Sequence, residues 1–291
     1  MRILVIGGTR FIGPRVVALL SAQQHQVTVF HRGQHSRLLP RGVSELTHPD
    51  AAMPIRRVPD ELRRLEPDVV LHMIAMGEED AEAAVAAFAG VARRIVVPSS
   101  GDVYKAYGIF IGIEPGPPQP VPLGEEAPLR TVRYPYRLPD TPPEALEFYY
   151  DKVLVEAVVS SRPDLPATIL RLPKVYGPED NSDLSTVYGF RQYPDWRWTH
   201  GFVDNVAAAI ALAVIDDRAA GKTYNVGEAS TPTVAERLSF MPDRADHSLF
   251  DKSANFEQDI VYDTGRIRRE LGYREVMDEQ EAMMHLLTGR L

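Results

Sequence analysis

The chain contains no cysteine among its 291 residues. This absence excludes disulfide bonds, thiolate nucleophiles and cysteine-ligated metal sites, and it fits a cytoplasmic protein. Long apolar segments are also lacking, because the longest run, at residues 206–215, is far shorter than the roughly 20 residues of a membrane-spanning helix. The residues after Met1 do not resemble a signal peptide. We therefore expect a soluble, cytoplasmic protein without a membrane partner.

Positive charge is scarcer than negative charge in this sequence. Lys and Arg number 32 against 40 Asp and Glu, which gives a net charge of −8 and a pI near 5.5. Nucleic acids and anionic membranes are bound by basic surfaces, so this balance disfavours both as partners. The 8 histidines show neither HxH nor HExxH spacing, and we expect no metal site.

Strands and helices alternate along most of the sequence. Short β-branched apolar runs predict strands, and apolar residues at helical spacing predict helices. The alternation is typical of βαβ units, so we expect an α/β fold with a doubly wound parallel sheet of the Rossmann type. The predicted strands are residues 3–6, 26–30, 67–75, 94–100 and 167–172; the predicted helices are 11–21, 59–65, 80–92, 145–161, 203–216 and 264–271.

Residues 114–143 interrupt this alternation, because ten of these thirty residues are proline. Such a segment forms neither a regular helix nor a central strand. We therefore predict a dinucleotide-binding Rossmann domain over residues 1–175 that carries residues 114–143 as an insertion. A smaller, mixed substrate-binding part is predicted over residues 176–291, with residues 203–227 returning to the Rossmann domain.

The first predicted strand runs into the sequence GGTRFIG at residues 7–13. Glycine at the first position permits a positive φ, and glycine at the last lets the following helix lie close to the strand. The amides at the start of that helix suit a pyrophosphate. Its place at the first strand–helix junction favours a dinucleotide site over a plain turn. The predicted cofactor contacts in this turn are Gly7, Thr9, Arg10, Phe11, Ile12 and Gly13.

The second predicted strand ends in FHRGQ at residues 30–34, with Arg32 where an NAD site would carry an acidic residue. A guanidinium fits the 2′-phosphate of NADP. Arg10 projects from the glycine turn and closes on the same phosphate in this interpretation. The sequence therefore favours NADP over NAD, and the alternative is that both arginines are solvated surface residues.

Several later segments extend the pattern over nearly the whole chain. They resemble motifs of the NAD(P)-dependent epimerase/dehydratase family, the extended short-chain dehydrogenases/reductases. GGTRFIG and RYPYR (133–137) are most similar to an atypical branch that includes chloroplast stem-loop-binding-like proteins. The other matching segments are HMIA (72–75), SSGDVY (99–104), RLPKVYGPED (171–180), YNVG (224–227) and RRELGY (268–273).

The resemblance implies hydride transfer at an alcohol or ketone carbon of a sugar nucleotide or another small molecule. It adds Ile74, Ala75 and Pro173 to the cofactor contacts. It also implies a smaller C-terminal substrate domain and a homodimer formed by helices equivalent to 80–92 and 145–161. RNA binding is suggested only by the chloroplast-like branch, and the acidic composition opposes it.

The resemblance also implies that Ser100 binds the substrate oxygen and that Lys152 binds the nicotinamide ribose and supports a catalytic tyrosine. That tyrosine would stand four residues before Lys152, where this chain has Phe148. On an unbroken helix, Tyr149 lies only about 60° from the face of Lys152, whereas Tyr150 lies about 200° away. Tyr149 is therefore the candidate acid–base residue.

Three alternatives stay open at this point. Tyr104 or a tyrosine of the proline-rich insertion supplies the phenol; the chain is a non-catalytic NAD(P)-binding regulator or scaffold; or Ser100 serves only the backbone at its strand end.

In the substrate part, residues 178–197 are few for the family's helix and strand, and Trp198 stands where the family has a phosphate-binding arginine. Arg191 or Arg197 takes over that role, or both are solvated.

Overall fold

The computed structural model describes residues 1–34, 39–244 and 253–289. No helix in these ranges combines the length and the apolar character that crossing a membrane requires. The strands are β1 (Arg2–Ile6), β2 (Gln26–His31), β3 (Ser44–Thr47), β4 (Val69–His72), β5 (Arg94–Ser100), β6 (Ala167–Leu172), β7 (Lys174–Tyr176), β8 (His200–Phe202) and β9 (Thr223–Asn225). The helices are α1 (Ile12–Ala22), α2 (Asp60–Arg64), α3 (Glu78–Phe88), α4 (Lys105–Phe110), α5 (Leu146–Tyr149), α6 (Lys152–Ser160), α7 (Ser185–Tyr188), α8 (Val203–Ile215), α9 (Val234–Phe240), α10 (Gly265–Leu271) and α11 (Glu279–Thr288).

Within the described residues, seven strands form one sheet in the order β3-β2-β1-β4-β5-β6-β9. The pairings from β3 through β5 are parallel, and Ile6 lies opposite both Phe30 and His72. This register brings the carboxyl ends of β1, β2 and β4 to one edge of the sheet. All four residues of β4 are buried, as expected for a strand covered on both faces. The doubly wound Rossmann sheet predicted from the sequence is confirmed.

The chain divides into two compact units, each assembled from three segments. The first unit contains Met1–Ser100, Arg133–Arg171 and Ala207–Tyr224. The second contains Gly101–Val132, Leu172–Val206 and Asn225–Leu291, and includes the parallel pair β7–β8. The proline-rich residues 114–143 form neither helix nor strand, as their composition predicts, and they contribute to both units.

The predicted helix over residues 145–161 is wrong as a single element. α5 ends at Tyr149 and α6 begins at Lys152, because Tyr150 (φ −63°, ψ 118°) and Asp151 (φ −159°, ψ 100°) are extended. Asp151 caps α6 by accepting a hydrogen bond from the Val153 amide at 3.0 Å. Its own amide donates to the carbonyl of Met76 at 3.0 Å. Capping by a buried aspartate therefore replaces helix continuation here.

A buried polar group fixes α6 against the sheet. The Glu156 carboxylate accepts hydrogen bonds from the Arg171 guanidinium of β6 (2.7 Å) and from Ser99 Oγ of β5 (2.6 Å). All three residues are buried. Because a buried charge is tolerated only with its partners in place, this network admits α6 in one position along the two strands.

The second unit contains a buried carboxylate of its own, that of Glu228. Its Oε1 atom accepts hydrogen bonds from the Phe202 amide (2.9 Å) and from Asn205 Nδ2 (3.2 Å). Burial, reinforced by the nearby Glu279 and Glu275 carboxylates, raises the pKa of Glu228 to about 7. The folded chain therefore holds a proton at Glu228 through a pH range in which the unfolded chain has released it.

We expect Glu228→Gln to stabilise the protein at high pH and not at low pH. Since the folded-state pKa lies above the unfolded one, the contribution of Glu228 to stability is greatest at acidic pH and falls as the pH rises through about 7. The neutral amide avoids that loss, so the variant should be more stable by about 3 kcal/mol at pH 8 and nearly equal at pH 4. Urea unfolding at both pH values measures this. Glu82→Gln, at an exposed position of α3, is the matched control. A difference that is the same at both pH values would contradict the assignment.

Candidate active site

The turn after β1 is built so that only glycine fits at three positions. Gly7 and Gly8 adopt φ values of +87° and +92°. A Cβ atom on Gly7 would lie 2.9 Å from Ile74 Cγ2, and one on Gly13 would lie 2.3 Å from the Cα of Gly8. The absence of side chains thus lets α1 start directly against the end of β1.

The N-terminus of α1 is left available to an anion. In the part of the chain that the structure describes, no side chain caps α1 and its first turn carries no acidic residue. The first amides of a helix lack partners within the helix, and the helix dipole makes this end positive. A pyrophosphate satisfies both features.

The glycine turn forms one wall of a cleft of about 240 Å³ in the first unit. Eight predicted cofactor contacts meet there: Gly7, Thr9, Arg10, Phe11, Ile12, Gly13, Arg32 and Ile74. The prediction did not include the other lining residues, which are Gly8, His31, Gln34, Ala51, Met53, Met73 and Met76. The site therefore fits a dinucleotide: a side-chain-free bend, an uncapped helix and an adjoining apolar cleft.

Some of the lining residues that were not predicted had a signal in the sequence, and others had none. Met73 and Met76 flank the predicted Ile74 and Ala75, so their place after a buried strand was a usable signal. Ala51 and Met53 follow β3, whose sequence SELT is polar and partly exposed. That strand lies at the edge of the sheet and gives no apolar alternation to detect.

Two predicted cofactor contacts are not among the residues that line the cleft. Ala75 is buried, and its carbonyl accepts a hydrogen bond from Lys152 Nζ. Pro173 follows β6 and belongs to the second unit, where it packs against Gly201; a Cβ there would lie 2.8 Å from Pro173 Cγ.

The cleft presents two arginines beside the glycine turn. Arg10 and Arg32 are both exposed and both line it. His31, at the end of β2, accepts a hydrogen bond from the Gly33 amide through Nδ1 (3.1 Å), and its Nε2 lies 3.2 Å from the Glu45 carboxylate of β3. The Glu45 carboxylate therefore contacts His31, while the guanidinium groups of Arg10 and Arg32 border the cleft.

Lys152 is almost fully buried, with an exposed fraction of 4%. Its ammonium donates to the carbonyls of Ala75 (2.6 Å) and Pro98 (3.1 Å), and so lies at the carboxyl end of β4 and beside β5. His72, in β4, is also buried; burial and then the charge of Lys152 lower its pKa to about 3. Its imidazole is neutral at physiological pH, so Lys152 is the cation here.

The two serines at the end of β5 have different surroundings. Ser99 is buried and its hydroxyl donates to Glu156. Ser100, the predicted substrate-binding serine, is the last residue of β5 and is only half-buried. Ser99 therefore belongs to the network that holds α6, and Ser100 is the more accessible hydroxyl.

The aromatic residues before Lys152 do not follow the predicted helix. The Arg137 guanidinium lies 4.1 Å from the centre of the Phe148 ring. Tyr149 packs on Gly77 at the start of α3, where burial and then the charge of Asp80 raise its pKa. The geometry used to select Tyr149 assumed an unbroken helix and is wrong. The expectation that Tyr150 faces away from Lys152 is also wrong, because the centre of its ring lies 5.9 Å from Lys152 Nζ.

The other candidate site residues, Arg191, Arg197 and Tyr104, form hydrogen bonds within the second unit. Arg197 makes two hydrogen bonds to the Asp259 carboxylate (2.9 and 2.6 Å), and Arg191 donates to the carbonyls of Tyr188 and Arg244. The buried Tyr104 hydroxyl donates to Asn225 Oδ1 at 2.5 Å. Among the described residues, no three His, Asp or Glu side chains come together as a metal site.

Comparison with known sequences points to one enzyme family. Residues 3–107 match the sequence model of the NAD dependent epimerase/dehydratase family. The 2'-dehydrokanamycin reductase of Streptomyces kanamyceticus is 40% identical over 103 residues, which are 34% of this chain and 28% of the reductase. The match thus spans little more than a quarter of that relative's length.

Solved structures share the fold over nearly the whole chain. The Bordetella bronchiseptica enzyme WbmG in complex with NAD superimposes with a TM-score of 0.71 at 16% identity, covering 99% of this chain and 93% of its own. The UDP-glucose 4-epimerase of Thermotoga maritima with UDP-glucose gives 0.66 at 16% identity, covering 100% and 99%. These superpositions show a common fold. Residues 3–107 thus resemble the NAD dependent epimerase/dehydratase family in sequence, and the chain shares its fold with these solved structures.

Proposed function

We propose that the chain is an NAD(P)-dependent oxidoreductase that acts on an alcohol or ketone carbon of a carbohydrate, free or carried on a nucleotide. One observation carries the proposal: the first unit joins a glycine-only turn, an uncapped helix α1 and a cleft at the ends of β1, β2 and β4. A bound nicotinamide dinucleotide supplies the hydride donor or acceptor. The protein binds and orients the cofactor and the substrate, and its side chains move the proton.

The family resemblance supplies the roles of two of the chain's own residues. It assigns Lys152, held by two carbonyls, to the nicotinamide ribose and Ser100, half-buried at the end of β5, to the substrate oxygen. Ile74 lines the cleft, while Ala75 and Pro173 are assigned to the cofactor from the family resemblance alone. The same resemblance supports a homodimer, and the cysteine-free composition supports a cytoplasmic location, as parts of this proposal.

The comparisons suggest two substrate classes for the test. Solved relatives carry UDP-sugars together with NAD, and the reductase from Streptomyces kanamyceticus is named for a dehydrogenated aminoglycoside. The first experiment therefore follows nicotinamide absorbance with UDP-glucose, UDP-glucuronic acid and 2'-dehydrokanamycin, each with both cofactors. Turnover of any of them supports an oxidoreductase.

A second candidate function is a non-catalytic NAD(P)-binding regulator. The observation that favours it is Phe148, whose ring is packed under Arg137 at the sequence position where the family has a tyrosine. Cofactor binding without turnover of alcohol or ketone substrates would support this candidate.

We propose further that the cofactor is NADP rather than NAD, because Arg10 and Arg32 both border the cleft. Replacing Arg32 with Ala should weaken NADPH binding about 10- to 100-fold, since a hydrogen bond to a charged group contributes about 1.5–3 kcal/mol. Arg10→Ala should act in the same direction, and NADH affinity should change little in both variants. Calorimetry with each cofactor measures the ratio. Arg64→Ala, exposed on α2 and outside the cleft lining, is the matched control. Equal wild-type affinities for NADPH and NADH would refute the preference.

Ser100→Ala tests the proposed contact with the substrate oxygen. We expect kcat/KM to fall about 10- to 100-fold, because a hydroxyl that donates to a developing oxyanion is lost. NADPH affinity should stay within about twofold, since the serine is assigned to substrate rather than cofactor. Ser160→Ala, at the exposed end of α6, is the control. Unchanged kcat/KM in Ser100→Ala would remove Ser100 from the site.

A further inference from the structure

The break between α5 and α6 is firmly fixed in the first unit. Asp151 is fully buried, and its carboxylate accepts hydrogen bonds from the amides of Val153 (3.0 Å) and Tyr134 (2.7 Å). The Asp151 amide donates to Met76. These three bonds join Asp151 to α6, to residues 133–143 and to the segment that follows β4. Together they hold the chain extended at Tyr150.

The break brings one phenol to the buried ammonium. The ring of Tyr150 is centred 5.9 Å from Lys152 Nζ, within the range in which a cation and an aromatic ring attract each other. The ring of Tyr136 lies 5.3 Å away from that of Tyr150, at an interplanar angle of 49°. Tyr150 itself is only half-buried. It is thus held between a fixed cation and a second tyrosine while part of it stays accessible.

The two preceding aromatic residues are engaged elsewhere. Phe148 packs under Arg137, whose Nε also donates to the Phe148 carbonyl at 2.5 Å. Tyr149 lies against Gly77, and the charges that act on its phenol are those of Asp80, Arg56, Arg32 and Glu147. Lys152 is not among them, and burial favours the protonated form of Tyr149.

We propose that Tyr150 is the proton-transfer residue of this protein, with its phenolate stabilised by the Lys152 ammonium. This assignment rests on the proposed oxidoreductase function. In the oxidation direction, a bound nicotinamide dinucleotide would supply the acceptor for the hydride that leaves as the substrate C–H bond breaks. The hydroxyl proton passes to the Tyr150 phenolate as the C=O bond forms. Reduction runs the same transfers in reverse.

The charges around Tyr150 include both signs. Lys152 favours the phenolate, and the Arg137 cation lies over the neighbouring Phe148 ring. The Asp151 carboxylate opposes the phenolate, but it is turned to the amides of Val153 and Tyr134. His72 is neutral and adds no charge. The ammonium of Lys152 is therefore the group whose removal should change the ionisation of Tyr150 most.

The first test needs neither cofactor nor substrate. Ultraviolet titration of the wild type minus Tyr150→Phe isolates the Tyr150 phenol; the same difference in a Lys152→Met background isolates it without the ammonium. We expect Lys152→Met to raise the proton affinity of that phenol roughly tenfold, as Coulomb's law gives for one charge about 6 Å from the centre of the ring at an effective dielectric constant of about 40. Coincident titrations would overturn the proposal. Circular dichroism checks that Lys152→Met folds, and if it does not, the second test decides.

The second test compares tyrosine variants in NADPH-dependent turnover of the substrate found above. Tyr150→Phe should lower kcat about 100-fold or more, as loss of a general acid–base does, with NADPH affinity unchanged. Tyr193→Phe, whose ring stacks on that of Phe256 in the second unit, is the control. Full activity in Tyr150→Phe, or loss of activity confined to Tyr149→Phe, would overturn the assignment while leaving the oxidoreductase function intact. Absence of turnover by the wild type would overturn both.

Discussion

The contact between Gly8 and Gly13 is the constraint on which the first unit depends. No side chain fits between these residues, because a Cβ on Gly13 would come within 2.3 Å of the Gly8 Cα. The contact fixes where α1 starts, and the start of α1 fixes where its amides point. The parallel register that places Ile6 opposite Phe30 and His72 then sets the edge of the sheet around the same point. The shape of the proposed cofactor site is therefore set by backbone packing before any side chain contributes.

The buried charges of the first unit have a different effect from this backbone contact. They fix the position of α6 against the sheet and add little to stability. The Glu156–Arg171 pair and the Lys152 ammonium are removed from water, and a buried ion pair is weak evidence for stability. Each has, however, its hydrogen-bond partners in this one arrangement of α6 against β5 and β6. Lys152 bonds Ala75 and Pro98, and one turn later Glu156 bonds Arg171 and Ser99. A shift of the helix along the strands would separate every one of these pairs, so the ammonium stays beside the strand ends.

The sequence was sufficient for the parts of the fold that depend on local patterns. The buried strands, the glycine turn and Arg32 after β2 follow from composition and spacing within about 30 residues. The break at Tyr150 and Asp151 was not predictable in this way, because residues 145–161 keep a helical pattern. Whether Asp151 caps α6 or continues a helix depends on the Met76 carbonyl and the Tyr134 amide, which come from other parts of the chain. The edge strand β3 was missed for the opposite reason: it is too polar to give a strand signal.

The carboxylate of Asp80 has a mechanical consequence for the cleft. It accepts hydrogen bonds from the amides of Ile55 (2.5 Å), Met76 (3.0 Å) and Gly77 (3.0 Å). Ile55 follows Met53 closely in the chain, so this one buried side chain holds together the segments that carry Met53 and Met76, both of which line the cleft. The width of the cleft between these two segments is therefore fixed before a ligand binds. A planar group that enters the cleft loses its own freedom of motion, but no protein segment has to become ordered around it. Preorganisation of this kind favours affinity.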